Sequence, residues 1–191
     1  ATMSHEIRTP LNGVLGMAQL LTLGELDDKQ RQYAETILSS GRSLAAIIDD
    51  VLDISRIEAG RMALKPEPVA PSAILEAALE PSRHQAEAKR LALSVEMGSG
   101  LGEPRLLDAT RMGQVLGNLI SNAVKFTPAG RIEVRVMAKD AGWLRFEVAD
   151  DGPGVALELQ DSIFERFTQA DMSTRRAHGG SGLGLAISRE L

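Results

Sequence analysis

Apolar residues at Met3, Ile7, Leu11, Val14, Ala18 and Leu21 follow one another at intervals of four, four, three, four and three. That spacing is the seam of a helix packed against other helices. Thr22 to Asp28 is a short connection containing a glycine, and Asp27 or Asp28 can cap a second helix. From Lys29 to about Glu58 the helical spacing returns at Tyr33, Ile37, Leu44, Ile48, Val51 and Ile54 or Ser55, with Ser40 or Gly41 filling the gap between Ile37 and Leu44. Two long helices joined by a short link predict an antiparallel hairpin. The hairpin has apolar residues for more than one contact face yet little core of its own, so two copies are expected to pair as a dimeric four-helix bundle. Pro10 falls inside the first helix, where an interior proline costs about 3 kcal/mol and bends the axis. His5 lies off the seam, with Glu6 beside it and Thr9 one turn further on the same face.

The pattern changes after Ala59-Gly60. Met62 to Pro68 reads as a strand-like start stiffened by prolines, and the domain hinge is placed there. Ser72 to Lys89 predicts a helix with Ile74, Leu75, Ala78 and Leu79 on its apolar side. Leu91 to Met97 alternates and predicts a strand, and Gly98 to Pro104 a loop. Asp108 caps a helix from Ala109 to about Lys125, with Met112, Val115, Leu116, Leu119, Ile120 and Val124 facing inward. Ile132 to Ala138 and Trp143 to Ala149 alternate in period two and predict a hairpin. Val155 to Gly180 is polar and weakly periodic, as in a lid segment, and Leu183 to Leu191 reads as a helix start. The chain is thus expected to be multidomain. Residues 1–60 form an all-α hairpin, and residues 61–191 a two-layer α+β domain with helices on one face of an antiparallel sheet. The first helix is expected to begin upstream of Ala1, and Leu191 falls inside an apolar run without a cap.

Composition narrows the function classes. The chain has 191 residues, 43% of them hydrophobic and 25% charged, which suits soluble globular domains rather than disorder. A net charge of −5 and 3% aromatics argue against nucleic acid or an anionic membrane as partner. The absence of cysteine excludes disulfides, thiolate metal sites and cysteine nucleophiles. His5, His84 and His178 are too widely spaced to suggest a zinc site. No apolar run reaches the roughly 18 residues of a membrane span. A cytoplasmic location is expected, with a parent protein that could be membrane-tethered.

Four motifs carry candidate chemistry beyond His5. Asn118 and Asn122 are four apart on one face of an otherwise apolar helix that ends near Lys125 and Phe126. Neutral carboxamide oxygens suit a hydrated cation bridging to phosphate, which describes Mg²⁺, with Lys125 as a charge for the phosphates. Equally, two such residues can cap neighbouring backbone or face water. Asp150-Asp151-Gly152-Pro153-Gly154 follows a strand, so that a backbone can approach a flat ligand while a carboxylate accepts from an amino group. An ordinary Asp-Gly turn has the same sequence. Gly179 to Leu185 opens a helix with glycines whose N–H groups favour phosphate, or serves as a hinge. Phe164 and Phe167 place two aromatics in a polar stretch, as latches on a nucleotide site or anchors in a small core.

Taken in order, these motifs resemble the five boxes of two-component sensor histidine kinases. Ser4-His5-Glu6-Ile7-Arg8-Thr9-Pro10-Leu11 resembles the H box and Asn118 to Thr127 the N box. Asp150 to Gly154 resembles the first glycine box, Phe164 to Phe167 the F box, and Gly180 to Leu185 the second glycine box. The resemblance implies a dimerisation and phosphotransfer hairpin over residues 1–60. It implies an ATP-binding domain of the Bergerat type over 61–191, lacking the closing strands that such kinases carry after the last helix. It further implies that His5 is the phospho-acceptor, polarised by Glu6, and that Thr9 positions a water for phosphatase activity. Asn122 would hold Mg²⁺ and Asn118 would orient metal and nucleotide. Lys125 would reach the phosphates, Phe126 would line the adenine pocket and Asp150 would read the adenine amino group beside Gly152 and Gly154. Gly180, Gly182 and Gly184 would turn backbone N–H groups to the phosphates. His178 stands where the family often has an aromatic.

The function implied is ATP-dependent autophosphorylation of His5 in a homodimer. Phosphoryl transfer then goes to an aspartate of a response-regulator receiver protein or fused receiver domain. Two rivals stand beside it. A degenerate kinase acting as scaffold or phosphatase would be expected to lack the intact His5, Glu6, Asn118, Asn122 and Asp150. Another Bergerat-type ATPase would carry a glutamate where Asn118 stands and no His-Glu hairpin.

Overall fold

The structure is a computed structural model that describes residues 2–98, 101–139, 142–168 and 181–191, with side chains from Glu6 onward. It divides into two compact units, Ala1–Met62 and Ala63–Leu191. The first holds α1 (Thr2–Thr22) and α2 (Asp28–Glu58). α1 runs unbroken through Pro10. α2 starts with a capping box: the Asp27 carboxylate accepts from the Gln30 N–H at 2.8 Å, and the Gln30 side chain accepts from the Asp27 N–H at 3.1 Å.

The hairpin's own contact is not made by the seam expected for α2. Burial falls on Leu11, Leu15 and Ala18 in α1, and on Ala34, Leu38, Gly41, Ala45, Ile48 and Leu52 in α2. Of the expected positions in α2, Tyr33, Ile37, Leu44 and Val51 are exposed, and Ile48 and Ile54 are half-buried. The reason is size: the inner stripe is small enough for the axes to approach, and a Cβ built on Gly41 would lie 2.6 Å from Leu15 Cδ2. Arg8 ties the helices at the surface through a 2.7 Å ion pair with Asp49.

The second unit holds β1 (Glu67–Val69), α3 (Pro71–Ala88), β2 (Ala92–Met97), β3 (Arg105–Leu107), α4 (Ala109–Phe126), β4 (Arg131–Ala138), β5 (Leu144–Asp150) and α5 (Gly184–Glu190). Its main sheet, in the order β2-β4-β5, is mixed. β4 and β5 are the expected antiparallel pair, but β2 lies parallel to β4, which corrects the all-antiparallel expectation. The chain from β2 to β4 crosses back through α4, and a crossover of that kind returns the next strand parallel. β1, which begins only at the end of the strand-like stretch read over Met62 to Pro68, and β3, not read as a strand, form a separate antiparallel pair.

The layers otherwise follow the pattern. Val134 and Val136 of β4 are fully buried in a core with Ile74, Leu75, Ala78, Leu79, Leu116 and Ile120, and Ile132 of the same strand in a second cluster with Ala86, Leu91, Ala123 and Val124. The opposite face of the sheet is polar. There Arg135 meets Glu133 at 2.6 Å, Glu96 at 3.2 Å and Glu147 at 3.8 Å, and Glu133 foremost holds the guanidinium above its ordinary pKa.

Asp108 joins the entry of this unit to α4. One carboxylate oxygen accepts from the Arg111 N–H at 3.0 Å and the other from the Lys65 N–H at 2.8 Å. These backbone bonds, that of Lys65 first, hold its pKa below the ordinary 3.8. Asp108→Ala is expected to cost about 1–2 kcal/mol of the second unit's stability in urea unfolding. Because the folded pKa is depressed, the contribution is complete above the unfolded value and disappears as pH falls through the folded one. The gap between wild type and variant should therefore be constant above about pH 5 and close below about pH 4. A gap that persists in acid would show that the carboxylate charge is not what stabilises this junction.

Candidate functional site

α4 is the element from which the site is built. Leu116, Ile120, Ala123 and Val124 bury one face, which leaves Asn118 and Asn122 half-buried on another. The two carboxamides are in different situations. Asn118 Nδ2 donates to the Gly184 carbonyl at 3.1 Å and lies 3.3 Å from Ser188 Oγ, both in α5. Asn122 makes no hydrogen bond to a described residue. A half-buried amide oxygen left over in this way fits a hydrated divalent cation.

The end of α4 is closed by a residue that no sequence motif marks. Lys89 Nζ donates to the carbonyls of Val124 at 2.8 Å and Lys125 at 2.7 Å, and reaches that of Thr127 at 3.5 Å. These are orphan carbonyls of a helix C-terminus, where a cation also meets the favourable end of the dipole. Lys125 itself is half-buried, with Nζ 4.7 Å from the centre of the Phe126 ring, and burial lowers its pKa. Phe126 is 44% exposed.

Thr127, fully buried, carries the link to β5. Its hydroxyl donates to Asp150 Oδ1 at 3.4 Å, and the Gly152 N–H donates to the same oxygen at 2.9 Å. Oδ2 of Asp150 has no partner among the described residues. Asp151 is spent differently, accepting from the Arg131 N–H at 3.1 Å and standing 3.8 Å from its guanidinium. The geometry thus distinguishes two adjacent aspartates that sequence alone cannot. A Cβ at Gly152 would lie 2.5 Å from Asp150 Oδ1, and Gly154 has a φ of +71°. Each glycine is therefore required for a separate reason.

The aromatic and glycine motifs meet each other. The Phe167 N–H donates to the Gly182 carbonyl at 3.1 Å, with φ of 61° and 68° at the two residues. A Cβ at Gly182 would crowd the Thr168 carbonyl at 3.0 Å. Arg189 of α5 lies 5.9 Å from the Phe164 ring. The later part of the expected polar lid, with His178 and Gly180, lies outside the described residues; the earlier part contains single 3₁₀ turns at Leu157–Leu159 and Ser162–Phe164. His5 is within α1, but its side chain is outside the described ones; Glu6 and Thr9 are exposed on the same helix.

Two family models match the chain. Residues 1–60 match the His Kinase A (phospho-acceptor) domain, and residues 107–191 the histidine kinase-, DNA gyrase B- and HSP90-like ATPase family. The whole chain is 43% identical to 58% of an aerobic respiration control sensor protein ArcB homolog of Haemophilus influenzae. It is also 44% identical to 20% of the sensor histidine kinase AruS of Pseudomonas aeruginosa. Full-length ShkA, solved in complex with AMPPNP, superimposes with a TM-score of 0.81 at 42% identity, over all of this chain and 39% of that one. The chain therefore spans between a fifth and three fifths of these two curated relatives. With a phospho-acceptor hairpin and a nucleotide-binding unit in one chain, it belongs to the sensor histidine kinases of two-component signalling.

Proposed function

We propose that this protein phosphorylates His5 from Mg²⁺-bound ATP and passes the phosphoryl group to an aspartate of a response-regulator receiver protein or fused receiver domain. The observation that carries the nucleotide half is the carboxylate of Asp150. One oxygen is held by Thr127 and Gly152, and the other is left to accept from an amino group such as that of adenine. Phe126 supplies an exposed ring for the base, and the half-buried ammonium of Lys125, disfavoured by burial, gains from a neighbouring phosphate. Asn122 and Asn118 supply carboxamide oxygens for Mg²⁺, which compensates phosphate charge when bound. Gly180, Gly182 and Gly184 contribute backbone N–H groups.

In the transfer, one ring nitrogen of His5 forms a bond to the γ-phosphorus as the bond to the β-phosphate oxygen breaks. Glu6 accepts the proton on the other ring nitrogen and so keeps the attacking lone pair available. Thr9, one turn from His5, is assigned the water that hydrolyses phosphorylated regulator. Incubation with γ-labelled ATP and Mg²⁺ tests the reading. An acid-labile, base-stable label is expected on wild type and absent from His5→Ala. Label that survives His5→Ala would overturn it. Thr127→Val, which removes one hydrogen bond to Asp150, and Gly152→Ala, whose Cβ would displace that carboxylate, are each expected to raise the KM for ATP by about three- to tenfold, with little change in kcat.

The dimer is supported by the outer stripe of the hairpin, where Ile7, Val14, Met17, Leu21, Tyr33, Ile37, Leu44 and Val51 are 42–68% exposed. Pairing of two copies along it would complete a four-helix bundle. Wild type is expected to sediment as a dimer and Ile37→Asp/Leu44→Asp as a monomer. A variant that remains dimeric would move the interface elsewhere.

A further inference from the structure

The Asn118 side chain faces two groups of α5 whose chemistry dictates which way the amide points. The Gly184 carbonyl, 3.1 Å from Nδ2, can only accept. The Ser188 hydroxyl has its proton committed to that same carbonyl at 2.8 Å, so at 3.3 Å it presents a lone pair to Asn118. Both partners require an NH₂ group and reject Oδ1. Gly184 adds a steric condition, because a Cβ there would lie 3.2–3.3 Å from three atoms of the amide. Asn122, one turn along α4, has no such fixing among the described residues.

We propose that Ser188 is a positioning residue, acting with Gly184 to hold the Asn118 NH₂ group on α5 and so leave Oδ1, which accepts from no described residue, as an acceptor for the Mg²⁺–nucleotide. The inference rests on the assignment of Asn118 and Asn122 to that ligand. The nucleotide site would then have one preset carboxamide oxygen, Asn118, and one adaptable one, Asn122. It also gives Gly184 a reason to be glycine that is independent of phosphate contact. Groups that orient a metal ligand commonly change affinity by 10–100-fold when removed. A single weak bond such as this belongs at the lower end.

The test is calorimetric binding of a non-hydrolysable ATP analogue, with Mg²⁺ and with EDTA, to the whole chain. Ser188→Ala is expected to weaken the Mg²⁺ form by about tenfold and the EDTA form by less than about twofold. Ser188→Thr, which keeps the hydroxyl, should restore binding, and Ser188→Ala should cost nothing more in an Asn118→Ala background. Equal losses with and without Mg²⁺, or losses that add to those of Asn118→Ala, would overturn the inference and leave the proposed function standing. A wild type that binds neither form would overturn both. In nucleotide-free wild type, the Asn118 side-chain NH₂ protons should exchange with solvent more slowly than those of Asn122. Equal rates would overturn the inference without recourse to a variant.

Discussion

A helix leaves four N–H groups without intrahelical partners at its start and four carbonyls at its end. In α4 both ends are met by side chains: Asp108, its N-cap, also holds the distant Lys65 N–H, and Lys89, 36 residues before Lys125, closes the carbonyls of Val124 and Lys125. With both termini fixed and one face fully buried, α4 cannot slide or fray without losing several bonds together. Asn118, Asn122, Lys125 and Thr127 therefore stand at set positions along a single rigid element. Two further parts of the candidate site are fastened to that element, α5 through Asn118 and the first glycine motif through Thr127.

The glycines of the site show how differently one residue type is used. Gly152 makes room for a carboxylate oxygen, Gly154 and Gly182 supply positive φ, and Gly184 admits the side chain of Asn118. None of these needs implies another, so replacing any of them with alanine would fail for a different reason: displacement of Asp150, backbone strain, or eviction of an amide. A motif that reads as generic flexibility is a set of separate steric conditions.

Most of this was legible in the sequence, and what was not has a physical reason. The long helices came from period alone, and the caps at Asp27 and Asp108 from residue type. β1 was placed too early and β3 was illegible, because three residues carry too little alternation to register. The parallel setting of β2 depends on a crossover, which strand pattern does not encode. The candidate residues with chemistry of their own are those the motifs mark. Thr127 and Asp151 stood in the motifs without a role, and Lys89, Ser188 and Arg189 were not marked at all, because nothing local marks a lysine 36 residues from its carbonyl partner or a serine 70 from its amide. The one faint local signal was the spacing of Gly184 and Ser188, four apart in a helix and so on one face.

The hairpin poses the complementary problem of too many apolar positions. Its inner stripe in α2 is half small, Ala34, Gly41 and Ala45 among larger Leu38, Ile48 and Leu52, while Tyr33, Ile37, Leu44 and Val51 point outward. Small residues allow close approach of the helix axes but bury little area, and at about 25 cal/mol per Å² the outer stripe holds the larger share of what could be gained. A hairpin built this way resembles half of a core. Its stability is then tied to protein concentration through the proposed second copy, as in dimers whose protomers are not stable alone. That coupling also bears on His5. A nucleophile on α1 keeps a fixed geometry only while α1 is held, and within one chain the described surface tie between the helices is the Arg8–Asp49 pair, worth at most about 1 kcal/mol. Association along the outer stripe would thus order the reacting helix as well as join the copies.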